Sequence, residues 1–241
     1  MKKLSRFLCL IGMAISARAQ STPATPVIIG CIGDSITQGV GASTQAPACA
    51  QLPRFLNKFH AVTGVYSSVS AGVGGTTSGD WAAGGAMLQG AIAAMTAAKV
   101  NVVQIMLGTN DSKVAVQTSR AAYTTNLQAV ITALRAAGFN KIILHQPIYI
   151  GQPAGQWDVV ISNNLIAQYG EAVVAVAAAD FGYVFNGDHL GFTWFQLNPG
   201  DSADGIHPND NGHVSLGFLW AMAYGDLFLR SPARGVRERP E

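Results

Sequence analysis

A serine, a histidine and a carboxylate stand in this sequence in surroundings that favour nucleophilic chemistry. Ser35 lies in "GDSIT", directly after the apolar run "VIIGCIG" (27–33), and Asp204 and His207 lie in "DGIHP" near the last apolar segment. A serine hydroxyl becomes a nucleophile when a histidine takes its proton and a carboxylate orients that histidine. The spacing of Asp204 and His207 puts both on one turn. Alone, it also fits a helix N-terminal turn or half of a metal site.

Two further segments carry groups that can stabilise an oxyanion. "GTND" (108–111) places the amide of Asn110 at a predicted strand end, and "AGVGGTTS" (71–78) offers glycine N–H groups that can approach a ligand closely. Negative charge that develops on a carbonyl oxygen needs such donors already in place. Each segment also has an ordinary interpretation, as a turn cap and as a flexible loop.

The first nineteen residues have the layout of a secretory signal peptide. Basic "MKKLSRF" is followed by apolar "FLCLIGMAI" and by "ARAQ", with cleavage predicted after Ala19. An apolar stretch of about nine residues is too short to span a bilayer. The sequence therefore predicts a secreted or periplasmic protein without stable membrane insertion after cleavage. An uncleaved membrane anchor is the alternative.

Charge and composition indicate one acidic domain. Without residues 1–19, the chain has 11 basic and 13 acidic residues, and four of the basic residues are arginines within 230–241. Nothing in this balance favours nucleic-acid binding. We expect a single domain over 20–230 and a disordered tail over 231–241.

Strands and helices are predicted to alternate along the chain. Apolar runs predict strands at 27–33, 65–72, 100–108, 141–147 and 172–180. Helices are predicted around 53–62, with Pro53 in the first turn, and at 86–98, 120–138, 157–170 and 212–229. This pattern is typical of a three-layer α/β/α sandwich with a mostly parallel five-stranded sheet. Sites in such sheets form at the carboxyl ends of the strands.

Taken together and in this order, the segments resemble the SGNH, or GDSL, hydrolase family over nearly all of the chain after residue 19. "GDSIT" is similar to the first block and implies that Ser35 is the nucleophile. "SAGVGGTTS" and "GTND" are similar to the second and third blocks, which implies oxyanion donors from the Gly75 backbone and the Asn110 side chain, beside the Ser35 N–H. "DGIHP" looks like the fifth block and implies that Asp204 and His207 complete a triad. The implied fold is flavodoxin-like, and the implied chemistry uses no metal and no cofactor.

The resemblance implies a serine esterase that forms an acyl-enzyme. Expected substrates are short acyl groups such as acetyl on carbohydrates. A lysophospholipase or thioesterase, and a non-catalytic carbohydrate-binding protein on the same fold, remain alternatives. Asp201 is the rival of Asp204 as the acid, and Ser70 stands where many relatives have asparagine. The sequence does not indicate an oligomeric state.

Other polar and aromatic residues are interpreted as structural. Asp34 is expected to fix the turn before Ser35. The remaining histidines are expected to be structural or on the surface: His60, His145, His189 and His213. Four aromatic residues could line an acyl or sugar pocket, although core packing is their default: Trp81, Trp157, Trp194 and Phe192.

Two cysteines follow the signal segment, Cys31 and Cys49. Export permits a disulfide. Against it, a strand buried on both faces leaves little room for disulfide geometry. The sequence therefore favours two free thiols, with a bridge as the alternative.

Overall fold

The computed structural model describes residues 25–82, 85–151 and 155–228. The predicted signal peptide (1–19) and the predicted tail (231–241) lie outside these described residues. Five parallel strands form one sheet in the order β2-β1-β3-β4-β5. They are β1 (Val27–Gly33), β2 (Tyr66–Ser70), β3 (Val102–Met106), β4 (Ile142–Leu144) and β5 (Val184–Asn186).

Helices cover both faces of this sheet, so the predicted three-layer α/β/α fold is confirmed. In chain order they are α1 (Ser35–Gln38), α2 (Ala48–Phe59), α3 (Ala86–Ala97), α4 (Arg120–Ala136), α5 (Val159–Ala179), α6 (Leu190–Leu197) and α7 (Asp210–Phe228). Buried side chains of α3, α4 and α5 share one core, and those of α2, α6 and α7 share the other. Short 3-10 turns follow β3 (Asn110–Ser112) and α6 (Pro199–Asp201).

Side chains of the central strands alternate between the two cores. On β3, Val103 and Ile105 pack with α3 to α5, whereas Val102 and Met106 pack on the opposite side of the sheet. This period of two is the geometry of a strand covered on both faces. It explains why the central strands read as continuous apolar runs in the sequence.

The strand order places the switch in chain direction between β1 and β3. From β1 the chain moves outward to β2, and from β3 it moves outward to β4 and β5 on the other side. Ligands of open α/β sheets bind beyond the carboxyl ends of the strands at such a point. The segments that begin at Asp34 and Leu107 leave β1 and β3 at that edge.

The predicted strand over 172–180 is wrong. Helix α5 continues through this region to Ala179, and the fifth strand is β5, further along the chain. Gly170 does not end the helix. A side chain there would lie within 3 Å of the Gln146 side chain, so this glycine permits close packing.

Helix α5 is apolar because it is a core helix. Among the described residues, it is the one helix long and apolar enough by length and composition to cross a membrane. The same helix buries Ile166, Tyr169, Val173 and Val176 against the sheet. Burial in the protein therefore accounts for part of its composition, although Val160, Ile161 and Val174 are exposed.

The expectation of two free thiols is also wrong. Cys31 and Cys49 form a disulfide, with their Cα atoms 6.2 Å apart. The helix predicted around 53–62 in fact begins at Ala48, with Pro53 in its interior rather than in its first turn. The early start puts Cys49 in the first turn of α2, in the same core as Cys31 on β1. Packing of α2 on β1 thus provides the Cα separation that a disulfide requires.

Candidate active site

Ser35 is the first residue of the short helix α1 and follows directly from β1. Asp34 caps this helix, because its Oδ1 accepts a hydrogen bond from the Ile36 N–H at 3.0 Å. Gly39 closes the helix in the left-handed conformation, with φ of 103°. The expectation that Asp34 fixes this turn is confirmed. The turn holds the serine at the carboxyl end of the strand.

The structure brings Ser35, His207 and Asp204 into one hydrogen-bonded chain. His207 Nε2 lies 2.9 Å from Ser35 Oγ, and His207 Nδ1 lies 2.7 Å from Asp204 Oδ2. The other carboxylate oxygen, Oδ1, accepts from the backbone N–H groups of Ile206 and His207 at 2.9 and 2.8 Å. A carboxylate on Nδ1 holds that nitrogen in its N–H form and leaves Nε2 to accept the serine proton. This is the geometry a general base requires.

Asp204 is held in its ionised form. Burial raises the pKa of this half-exposed carboxyl. The hydrogen bonds from the His207 backbone and ring and from the Ile206 N–H outweigh that effect, so its pKa lies below the usual value. An ionised acid next to Nδ1 stabilises the positive charge that a protonated imidazole carries.

The carboxylate of the rival acid, Asp201, hydrogen-bonds to residues other than His207. Its Oδ2 accepts hydrogen bonds from Trp194 Nε1 at 2.8 Å and from Ser215 Oγ at 3.2 Å. These contacts tie the segment after α6 to α7. The geometry therefore favours Asp204 as the partner of His207.

The glycine-rich segment 71–78, which follows β2, lies beside both Ser35 and Asn110. A Cβ built on Gly74 would lie 3.7 Å from Ser35 Cβ, and the Thr76 carbonyl accepts a hydrogen bond from Asn110 Nδ2 at 2.9 Å. Gly75 lies between them with φ of +80°. Both predicted oxyanion donors thus lie on segments beside Ser35.

A buried network that the sequence reasoning missed supports this segment. Asp111 accepts from the Ser78 N–H at 2.8 Å and from Ser78 Oγ at 2.6 Å, and Trp81 Nε1 donates to Thr76 Oγ1 at 2.9 Å. Burial raises the pKa of Asp111. The available signal was the acid that directly follows Asn110 in "GTND".

Ser70 provides a link where many relatives have asparagine. Its Oγ donates to the Thr37 carbonyl of α1 at 3.1 Å. Close by, a Cβ on Gly72 would lie 2.3 Å from the Gln38 nitrogen, so only glycine fits there. The end of β2 is therefore packed directly onto helix α1, which begins at Ser35.

Two of the other histidines, His145 and His189, have hydrogen-bond partners. His145 is buried, accepts from the Asp188 N–H at 2.8 Å and contacts Gln104 Oε1 at 3.3 Å, and burial lowers its pKa to about 3. His189 contacts Gln146 and Asn186. Burial lowers the pKa of His60 as well.

The aromatic candidates are distributed between the core and the site. Trp81 is fully buried, and Phe192 packs edge-on to Tyr149. Trp157 Nε1 donates to the Thr109 carbonyl at 2.9 Å, which places this ring next to Asn110. Of the four, Trp157 is thus bonded to the residue beside a predicted oxyanion donor.

Comparison with known proteins identifies the family. The model of the GDSL-like lipase/acylhydrolase family matches residues 31–214, which is most of the chain. The chain belongs to this family. No curated protein matches it by sequence.

Solved structures similar to this GDSL chain include esterases. The lipase/acylhydrolase from Enterococcus faecalis is 23% identical with a TM-score of 0.60, over 81% of this chain and 94% of that one. The aryl esterase of M. smegmatis is 17% identical with a TM-score of 0.59, over 83% and 99%. A carbohydrate acetylesterase from Sinorhizobium meliloti is 17% identical with a TM-score of 0.58, over 84% and 100%. At these identities, the likeness shows the shared fold.

Proposed function

We propose that this GDSL-family ester hydrolase works through Ser35 as nucleophile, His207 as general base and Asp204 as the orienting acid. The observation that carries the proposal is the continuous chain of hydrogen bonds from Ser35 Oγ through both ring nitrogens to the Asp204 carboxylate. A serine is a weak nucleophile without such a base, and the base needs an acceptor on its second nitrogen.

In the first half of the proposed reaction, Ser35 Oγ attacks the ester carbonyl carbon while its proton moves to His207 Nε2. The carbonyl oxygen becomes an oxyanion that accepts from the Ser35 and Gly75 N–H groups and the Asn110 amide. His207 then gives the proton to the alkoxide, the C–O bond breaks and the alcohol leaves. In the second half, water attacks the acyl-enzyme, and His207 again takes the proton and returns it to Ser35.

We further propose that the substrates are short acyl esters, such as acetyl groups on carbohydrates. A cavity of about 530 Å³ lies beside Asp204 and is lined in part by Tyr149, Phe195, Gln196 and Ser202. An aromatic ring together with amide and hydroxyl groups suits a sugar, which presents both C–H faces and hydroxyls. The similar Sinorhizobium meliloti structure is of a carbohydrate acetylesterase, which adds support.

A chain-length series tests the proposal. The purified protein is assayed on p-nitrophenyl esters from acetate to palmitate and on acetylated xylan, with Ser35→Ala as the matched control. We expect the highest kcat/KM on the shortest esters and release of acetate from xylan. A maximum at palmitate would instead identify a lysophospholipase-type acyl hydrolase. A folded protein without turnover of any ester would indicate a non-catalytic binding protein.

We also infer that residues 1–19 direct export and are then removed. The inference is supported by the basic, apolar and small-residue regions of that segment. N-terminal sequencing of exported protein should begin at Gln20. A chain that begins at Met1 and is recovered with membranes would indicate an uncleaved anchor.

A further inference from the structure

One carboxylate outside the triad binds an entire turn of a distant segment. Asp210, the first residue of α7, accepts from the backbone N–H groups of Ser43, Thr44 and Gln45 at 2.7, 3.1 and 3.0 Å. It also accepts from the hydroxyls of Ser43 and Thr44, both at 2.7 Å. These bonds lower the pKa of Asp210 far below the usual value, so it is ionised at neutral pH. We call residues 39–48 the nucleophile loop, since they follow α1 directly.

A buried histidine holds the same loop one helical turn further along α7. His213 Nε2 donates to the Val40 carbonyl at 3.1 Å, and the Ala48 N–H donates to His213 Nδ1 at 3.3 Å. Both ring nitrogens are therefore in use, which requires the neutral ring. Burial lowers the pKa of His213 and favours that form.

The nucleophile loop connects these two residues to both reacting side chains. The Val40 N–H donates to the Ser35 carbonyl at 2.9 Å, so the residue that His213 binds is itself bonded to the nucleophile. On the other side, Gly41 has φ of +92°, and a Cβ on it would lie 2.2 Å from the Pro208 carbonyl and 3.3 Å from His207 Cβ. The loop thus packs directly against the residue that carries the base.

We propose that Asp210 and His213 are positioning residues, which fix the distance between Ser35 and His207 through the nucleophile loop. The proposal rests on the proposed roles of those two residues. Ser35 and His207 are 172 positions apart in the chain, so their 2.9 Å contact depends on the junction of these two segments. Asp210 makes charge-assisted bonds, which are shorter and stronger than neutral ones. A displacement of about 1 Å at a catalytic contact can lower the rate about 100-fold.

The first test compares Asp210→Ala and Asp210→Asn with the control Asp180→Ala. Asp180 accepts from Arg135 at 3.0 Å and lies between α5 and the edge strand β5, three strands away from β1, which Ser35 follows. On p-nitrophenyl acetate we expect Asp210→Ala to lower kcat about 10- to 100-fold, with KM changed less than about 3-fold. Asp210→Asn should fall between this variant and the wild type, because an amide keeps one acceptor oxygen. The control should retain wild-type kcat.

The second test uses a conservative rescue at His213. Glutamine can donate to the Val40 carbonyl and accept from the Ala48 N–H, whereas leucine fills the space and does neither. We expect His213→Gln to stay within about 3-fold of wild-type kcat and His213→Leu to lose about 10-fold or more. The rate of covalent inactivation by a serine-directed phosphonate should fall in parallel, because it reports Ser35 reactivity without substrate turnover.

Thermal unfolding separates positioning from stability alone. Folded Asp210 variants with a lowered Tm but wild-type kcat and inactivation rate would overturn the proposal, as would His213→Gln and His213→Leu variants of equal activity. If Asp210→Ala does not fold, Asp210→Asn and the His213 pair still decide the question. Failure of the proposed function is a distinct result, because the wild type would then be inactive or as active as Ser35→Ala.

Discussion

The proposed nucleophile, Ser35, and its proposed base, His207, lie in two regions that are built in different ways. Around Ser35, the residues Asp34, Ile36 and Thr37 are at most 1% exposed, and the turn is continuous with the core on both sides of β1. The base lies on a loop over 202–208 that is closed by a bridge between Ser202 and Pro208. The first region is thus buried in the core, whereas the second lies nearer the surface, where hydrogen bonds and the buried side chain of Ile206 hold it.

The difference is clearest in the two aspartates. Asp34 is fully buried, and burial raises its pKa to about 6. The Asp204 side chain is 48% exposed, and its pKa lies below the usual value. Aspartate therefore has two roles here. Asp34 is a turn cap that is costly to ionise, whereas Asp204 is a carboxylate that stays ionised. Environment, not sequence neighbourhood, separates the two functions.

The largest effect is expected where the two regions meet. Ser35→Ala and His207→Ala should each lower kcat by about three orders of magnitude or more, because nucleophile and base act as a unit. For the same reason, the double variant should lose little more. Steady-state kinetics on p-nitrophenyl acetate with folded protein measures this. Near-normal activity in either single variant would contradict the assignment.

Next in size is the loss of the acid on the hydrogen-bonded loop. Asp204→Asn keeps the shape but can present its NH₂ group to His207 Nδ1, so we expect kcat to fall about 10²- to 10⁴-fold. Asp201→Asn is the matched control, because its carboxylate bonds to Trp194 and Ser215 instead. Its kcat should change less than about 3-fold. A larger loss at Asp201 would reverse the assignment of the acid.

Removal of the disulfide tests how firmly the core region is held. The double change Cys31→Ala and Cys49→Ala opens a loop of sequence separation 18. We expect the free energy of unfolding to fall by about 3 kcal/mol. Because hydrogen bonds to Asp210 and His213 still hold the nucleophile loop (39–48), kcat at 25 °C should change little. Denaturant unfolding measures the loss, and alkylation of both cysteines in denatured but unreduced wild type would show that the bridge is absent.

The last effect is a stability difference that depends on pH and is absent at pH 4. In the folded protein the pKa of Asp34 is about 6, whereas the usual value, which applies to the unfolded chain, is 3.8. Between these two pH values the folded state binds more protons, so the free energy of unfolding of the wild type should fall as the pH rises from about 4 to about 6. Asp34→Asn cannot ionise and can still accept from Ile36. We expect it to be more stable than the wild type at pH 8, by up to about 3 kcal/mol, and to show no such gain at pH 4.

Asp204→Asn should show the opposite sign in the same measurement. The folded pKa of Asp204 is lowered, so its contribution to stability is present above about pH 4 and is lost in more acidic solution. The variant should therefore be less stable than the wild type at pH 7, and the gap should narrow as the pH falls below 4. Urea unfolding at several pH values measures both variants. Stability differences that do not vary with pH would contradict the contrast between the two aspartates.

The sequence was most informative where local pattern and tertiary role coincide. The apolar run of β1 ends in "GDSIT", and the structure places Ser35 at that strand end, next to Asp204 and His207. Helix α3, predicted at 86–98, is observed at Ala86–Ala97. In such segments the residues that form the element also determine which face it buries.

Prediction from the sequence failed where a residue's role depends on a contact with a residue far away in the chain. The helix predicted to end at residue 170 continues to Ala179, and Gly170 within it leaves room for the Gln146 side chain. Cys49 lay outside the helix predicted around 53–62, whereas the helix in fact begins at Ala48 and packs against β1. Asp210 and His213 gave no local signal, since their partners lie more than 160 positions away. Long-range contacts of this kind are absent from any local window of sequence.

The separation of Ser35 from His207 along the chain also bears on the order of assembly. All five strands are complete at Asn186, whereas the acid, the base and helix α7 follow only afterwards. Domains fold as units while synthesis proceeds from the N-terminus. Under the roles proposed above, a growing chain therefore carries Ser35 through most of its synthesis before its base and acid have been made. We expect any product cut short before residue 204 to lack ester hydrolysis, because both His207 and Asp204 would be missing.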